Sequence, residues 1–162
     1  MIKVLKMKNK LISVIFVLAA MMASCKKAPT MITGESSDYS GKMCVEYQGE
    51  DFTQENIQVT AEFNDDSTRL DILLNKVKFV PAMPVRIDVT IMDIPVTQNN
   101  DGSFTIAADD IVPWAMGGPY DTYRVDELSG FISKESLDFE MIFFNTKKNE
   151  GYPTEYSGRI VF

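Results

Sequence analysis

The sequence predicts an all-β fold, and three observations carry that expectation. Apolar and polar residues alternate in several short runs, most cleanly at Ile57, Val59, Ala61 and Phe63 against Gln58, Thr60 and Glu62, the period-two pattern of a strand with one buried face. Clusters of Gly, Pro, Asn and Asp separate these runs. No segment keeps a helical period over three turns.

Taken in order, the first strand is expected over Gly41–Tyr47, ended by a turn at Gln48-Gly49-Glu50-Asp51. The alternating run at 57–63 and a return run with Leu70, Ile72 and Leu74 flank Asn64-Asp65-Asp66-Ser67, so residues 57–74 read as a hairpin. Pro81 and Pro84 interrupt the pattern before Val85, Ile87, Val89 and Ile91 resume it. Pro95, which cannot donate to a ladder, marks an edge, a bulge or a strand start. Asn99-Asn100-Asp101-Gly102 is the strongest turn signal and leads into Phe104–Ala107. Residues 109–123 are irregular yet apolar for a loop. Val125–Ile132 and Leu137–Phe144 then read as strands about a turn at Ser133–Ser136, Asn145–Pro153 reads as a polar loop, and Tyr156–Phe162 closes the chain.

An internal echo bears on how the sheet closes. Tyr39-Ser40-Gly41-Lys42 opens the first strand and Tyr156-Ser157-Gly158-Arg159 opens the last. In an up-and-down barrel the first and last strands pair antiparallel and so remove the sheet edges. The order of the pieces resembles the calycin-like, lipocalin-like barrel domain of small bacterial lipoproteins. The resemblance rests on that opening strand, on Gln54-Glu55-Asn56, Ala82-Met83-Pro84-Val85 and Ile94-Pro95-Val96-Thr97, and on the turn at Asn100–Ser103. It implies about eight antiparallel strands over Tyr39–Phe162. The Gly-x-Trp of true lipocalins is missing, since Lys42 and Met43 follow Gly41.

Ahead of this domain, Lys3, Lys6, Lys8 and Lys10 precede an apolar run over Leu11–Met22 and the small pair Ala23-Ser24, the order of a secretory signal whether translation starts at Met1 or Met7. The run is shorter than the ~20 residues a transmembrane helix needs. Met22-Ala23-Ser24-Cys25 resembles a bacterial lipobox, which implies a signal peptide over 1–24, acylation of Cys25 and a tether over 25–38. Several acyl chains on one cysteine hold a protein firmly to a bilayer. Surface-exported lipoproteins of some bacteria carry acidic residues directly after the cysteine; Lys26-Lys27 stand there in this chain, so the lipoprotein resemblance implies an outer-membrane anchor facing the periplasm. Cys44 then has no partner within the chain and is expected as a small buried strand residue.

Charge and composition exclude several functions. The net charge is −7, and taking the four signal lysines from 16 basic residues leaves 12 against 23 acidic ones. Nucleic-acid binding needs a basic footprint that such a domain lacks. The chain has no histidine, which removes Ser-His-Asp and Cys-His triads and histidine-ligated metals. Thr97, Asn99, Asp101 and Gly102 imitate an EF-hand loop, but its closing glutamate would fall on Ala108, so a plain turn is expected. Asp109-Asp110 and Asp126-Glu127 could each supply one carboxylate of an acid/base pair, although neighbours on a strand face opposite ways. Methionines are too scattered for copper. No cofactor and no catalytic activity are expected.

The remaining candidate is Ile111–Tyr120, which holds the sole tryptophan. Trp114, Met116, Tyr120 and Tyr123 could line a barrel mouth or present an apolar patch, with Phe79 and Phe131 as weaker candidates. Otherwise the segment plugs one barrel end with Trp114 buried. The expected function is a lipid-anchored envelope barrel that binds a neighbouring envelope protein or a small apolar ligand. Large inward residues such as Phe63, Phe139 and Phe143 favour a filled interior and hence the protein partner. A peptidase-inhibitor-like barrel is the alternative that the resemblance admits.

Overall fold

The computed structural model describes residues 36–162; the expected signal segment over 1–24, Cys25 and residues 26–35 lie outside the described residues. Among the described residues ten strands form: β1 (Ser36–Tyr47), β2 (Glu50–Phe63), β3 (Arg69–Val77), β4 (Ile87–Gln98), β5 (Phe104–Ala108), β6 (Trp114–Ala115), β7 (Gly118–Pro119), β8 (Tyr123–Ile132), β9 (Ser136–Asn145) and β10 (Glu150–Ile160). Eight of them pair antiparallel with their successors, and β10 returns to β1, so the barrel is closed and up-and-down. β6 and β7 make a two-residue hairpin added beside β4.

The two strands that echo one another do pair, with Gly41 opposite Gly158 and Met43 opposite Tyr156. Several strands are longer than alternation alone suggests. β1 begins at Ser36, whose partner is Glu62, so three residues assigned to the tether belong to the barrel. β2 begins at Glu50, directly after a tight turn in which Gln48 and Gly49 both have positive φ, the geometry of a two-residue hairpin. β10 takes in the last part of the expected polar loop, Glu150–Pro153, and its Tyr152, Thr154, Tyr156 and Gly158 all face inward. Pro153 is tolerated just beyond the β1–β10 ladder, whose last pair is Val45 with Thr154.

Bulges explain where the alternation stops. Asn56, Lys76, Asp93 and Glu127 have φ between 52 and 58°, and at each of them two successive residues face outward before the buried series resumes. A bulge of this kind sharpens the local twist, which lets a sheet curl into a barrel. Three of the four extra amides are answered by an aspartate from the neighbouring strand or its extension. Lys76 N donates to Asp88 at 2.8 Å, Asp93 N to Asp71 at 2.7 Å, and Glu127 N to Asp109 at 2.9 Å. The Asp93 bulge also shows that Pro95 continues β4 and does not start a strand.

Side chains fill the interior. Tyr39, Met43, Val45, Leu70, Ile72, Leu74, Ile91, Ile94, Ile106 and Val125 are wholly inaccessible to solvent. Phe63 packs on Phe104 with ring centroids 4.8 Å apart, and Phe139 stacks on Tyr156 at 5.3 Å. At the end where β1 begins, the Tyr39 hydroxyl donates to Ser133 O at 2.8 Å. The opposite, distal end is closed by residues 78–86 between β3 and β4. Buried Gln54 anchors this loop, donating to Lys78 O (2.8 Å) and accepting from Lys78 N (3.0 Å) and the Arg86 guanidinium (2.9 Å). That places Phe79 against Phe143, ring centroids 3.5 Å apart.

The outer wall is polar. Lys42 and Glu46 of β1, Glu55 and Glu62 of β2, Arg69 of β3, Asp88 and Asp93 of β4, Glu140 of β9, and Glu155 and Arg159 of β10 all face water. A barrel that spans a bilayer needs an apolar outer band; this one is apolar inside and charged outside. Cys44 also stands on the outer face, half-buried. The expectation of a buried thiol is therefore corrected: β1 alternates without a break past the Asn56 bulge of β2, so Met43 and Val45 face inward and Cys44 outward.

Candidate binding surface

The segment between β5 and β8 mends a gap in the wall. β5 pairs with β4 only at Val96–Gln98, so the distal half of β4 needs another neighbour. From Ala108 the chain first follows β8, with Ile111 and Val125 exchanging both backbone bonds at 3.0 and 2.8 Å. It then crosses to β4, where Trp114 pairs with Thr90 and Ala115 with Val89. A tight turn at Met116 (φ 53°) and Gly117 (φ 85°) reverses it. Tyr120 N then donates to Pro113 O at 2.8 Å, and Thr146 holds Asp121 and Thr122 through their carbonyls.

Strand alternation across this insert divides the expected site in two. Ala115 points into the core, so Trp114 and Met116 point out, 39% and 73% exposed. Val112 and Pro119 are exposed beside them, and Met92, two residues beyond Thr90 on the same face of β4, extends the apolar surface. Tyr120 and Tyr123 belong elsewhere. Their rings lie 4.8 Å apart, and Tyr123 stacks on Phe143 at 4.7 Å, continuing the column that Phe79 completes. Burial, and then the neighbouring Tyr123, raise the Tyr120 hydroxyl above its usual pKa.

Two readings of the insert are thereby corrected. Trp114 is not buried beneath a plug, because the plug is Phe79 from the β3–β4 loop. Nor does the insert line an open mouth. Sequence reasoning names Gln54 only within the Gln54-Glu55-Asn56 resemblance and misses its role in seating the plug, because alternation counted back from Ile57 puts it outward and the Asn56 bulge turns it inward.

The acidic residues are also placed. Asp126 grips Arg124 through two bonds of 2.6 and 2.7 Å, and Asp110 approaches the same guanidinium at 3.3 Å. Asp109 is spent on the Glu127 amide. These carboxylates do meet at one place, but an arginine and a backbone amide already occupy them. Asp101 accepts from the Ser103 hydroxyl and amide, which lower its pKa and close the turn there. Phe131 stands apart, in an outer-wall groove of about 680 Å³ that also holds Lys42, Cys44, Asp138, Glu140 and Glu155.

No protein-family model matches the chain, and no curated protein matches it. Among solved structures, it is similar to a Bacteroides fragilis protein whose description as an outer membrane protein is provisional, with TM-score 0.54 and 14% identity. The match covers 78% of this chain and 50% of that one, so the chain spans about half the length of that protein. The likeness is one of fold.

Proposed function

We propose that this chain is a non-catalytic binding protein of the bacterial cell envelope, anchored to a membrane through acylated Cys25 and acting on another protein through the outer face around Trp114 and Met116. The observation that carries the reading is the division of apolar surface. The lumen is packed to its distal plug, whereas Trp114, Met116, Val112 and Met92 stand together in water. A filled eight-stranded barrel has no room for a ligand of useful size, so the contact surface lies outside.

The charged wall supports the anchor as the mode of attachment, because such a wall cannot sit in lipid. The provisional description of the structural neighbour as an outer membrane protein is consistent with an envelope location. Attachment at the N-terminal end of β1 would turn the distal end and the Trp114 face away from the lipid. The peptidase-inhibitor reading gains nothing from the insert, which is folded back onto β4 as a two-residue hairpin and does not protrude.

Fractionation of producing cells tests the anchor. The intact chain is expected in the membrane fraction, released by detergent and not by salt, and Cys25→Ala in the soluble fraction. Unchanged membrane association of Cys25→Ala would overturn it. Native mass spectrometry of the released protein should find no small molecule retained by the barrel; a retained mass would return the site to the lumen.

A further inference from the structure

The exposed face around Trp114 has a charged border, and that border selects among its conceivable occupants. Asp88 lies two residues before Thr90 on β4, Asp93 follows Met92, Asp110 precedes Val112 by two, and Asp121 follows Pro119 by two; all four are exposed. The nearby arginines are largely committed, while Lys76 beside Asp88 and Lys147 and Lys148 after Thr146 are exposed. Arg86 turns to Gln54 and the Lys76 carbonyl, Arg124 is held by Asp126 and approached by Asp110 at 3.3 Å, and Arg69, which also donates to the Asp93 carbonyl, reaches the Asp93 carboxylate only at 3.7 Å with both side chains solvated. An exposed pair of that kind is weak and leaves the Asp93 carboxylate free to exchange its partner. The result is an apolar centre with an acidic border on a domain that is acidic throughout.

Each possible occupant meets that border differently. An anionic lipid surface is repelled by it. A second copy would bring two acidic borders face to face across a self-complementary contact, which like charges oppose. A segment with an aromatic or aliphatic anchor flanked by lysine or arginine satisfies both parts. Trp and Met supply broad, adaptable contact area at such a centre.

We infer that this face docks a basic, apolar-anchored segment of another envelope protein; the inference rests on the reading of the chain as an envelope binding protein. Its test uses the full chain in the cells that make it, with a photoreactive benzoyl-phenylalanine at Met116 and, as control, at Gln58 on the outer wall of β2. Irradiation should give an adduct from position 116 and not from 58, and sequencing of the cross-linked peptide should find a segment rich in Lys or Arg beside an aliphatic or aromatic residue. Asp93→Lys combined with Asp121→Lys should lower the yield at least fivefold while the thermal unfolding midpoint holds. An adduct with a second copy, with lipid or with an acidic segment, a yield indifferent to the charge reversal, or no adduct at all would overturn the inference. Loss of the adduct with membrane attachment retained would refute the partner alone. A soluble chain that still gives the adduct would refute the anchor alone.

Discussion

Gly41 and Gly158 face one another across the seam that closes the barrel, and β1 and β10 approach so closely there that neither position has room for a side chain. A Cβ on Gly41 would come 2.5 Å from Cα of Gly158, and one on Gly158 would come 2.6 Å from Cζ of Tyr156. The Tyr156 ring lies along the strand in the space left by Gly158, and its hydroxyl donates to the Ile57 carbonyl on β2 at 3.3 Å. One side chain thus ties together β10 and, beyond β1, β2.

The two glycines obstruct different groups, so their alanine variants should respond differently to the same rescue. Gly41→Ala and Gly158→Ala should each cost about 2–3 kcal/mol in urea unfolding, the upper part of the range for overpacking. Tyr156→Phe removes the atom nearest to a Cβ at position 158 and so should recover part of the loss in Gly158→Ala. It should recover none in Gly41→Ala, where the obstruction is backbone. A double-mutant cycle giving equal coupling at both positions would contradict the packing.

The seam was legible in the sequence because the glycines sit in repeated four-residue frames, one on each strand. The bulges were not. Asn56, Lys76, Asp93 and Glu127 each put two outward residues in succession, and a break in alternation looks the same whether a strand ends or bends. Hence alternation marks β2 from Ile57 only, and Pro95 reads equally as an edge, a bulge or a strand start. The insert was legible as an oddity, an apolar loop with the sole tryptophan, but its division was not. Which of Trp114, Met116, Tyr120 and Tyr123 faces water depends on pairing with β4, a partner more than twenty residues away.

Left-handed backbone at a bulge favours glycine, and two of the four bulge residues are long charged side chains. Lys76→Gly and Glu127→Gly relieve a conformation that costs an L-residue about 1–2 kcal/mol, offset by about 0.4–1 kcal/mol of added freedom in the unfolded chain. Each should therefore raise stability by roughly 0.5 kcal/mol. Asn56→Gly should change little, since asparagine tolerates this region. Asp71→Ala should cost about 1 kcal/mol by leaving the Asp93 amide to water. Denaturant midpoints of the four variants test the ordering.

Buried phenols make the barrel sensitive to alkali. Burial pushes Tyr39 up to about 12, and it raises Tyr152 and Tyr156 as well, Tyr152 aided by its hydrogen bond to Glu150. A phenol whose folded pKa is raised adds stability that is complete below the unfolded value near 10 and fades as pH climbs from there through the folded value. Stability should therefore fall steadily between pH 10 and 12. The ultraviolet titration of these tyrosines should coincide with loss of the barrel's circular dichroism; three phenols ionising near pH 10 in an intact barrel would refute the burial. Tyr39→Phe should flatten the decline while losing the bond to Ser133 O.

The plug decides whether the barrel is a container. Phe79 is held over the distal end from one side by Gln54, which fixes the loop, and from the other by stacking on Phe143. Phe79→Ala should cost about 3–5 kcal/mol, as deletion of a fully buried aromatic does, and should leave an apolar space beneath the loop. Gln54→Ala removes three hydrogen bonds but less volume and no aromatic ring, and leaves the Lys78 amide and carbonyl to find water. It should cost about 2 kcal/mol, from several bonds of about 1 kcal/mol each less their replacement by solvent. Both variants should speed amide hydrogen exchange at Lys78. Only Phe79→Ala should gain saturable binding of a small aromatic probe such as toluene, since a dry apolar cavity takes up such molecules. If the native protein bound that probe as well as the variant, the lumen would be open and the outer face around Trp114 would lose its claim as the contact surface.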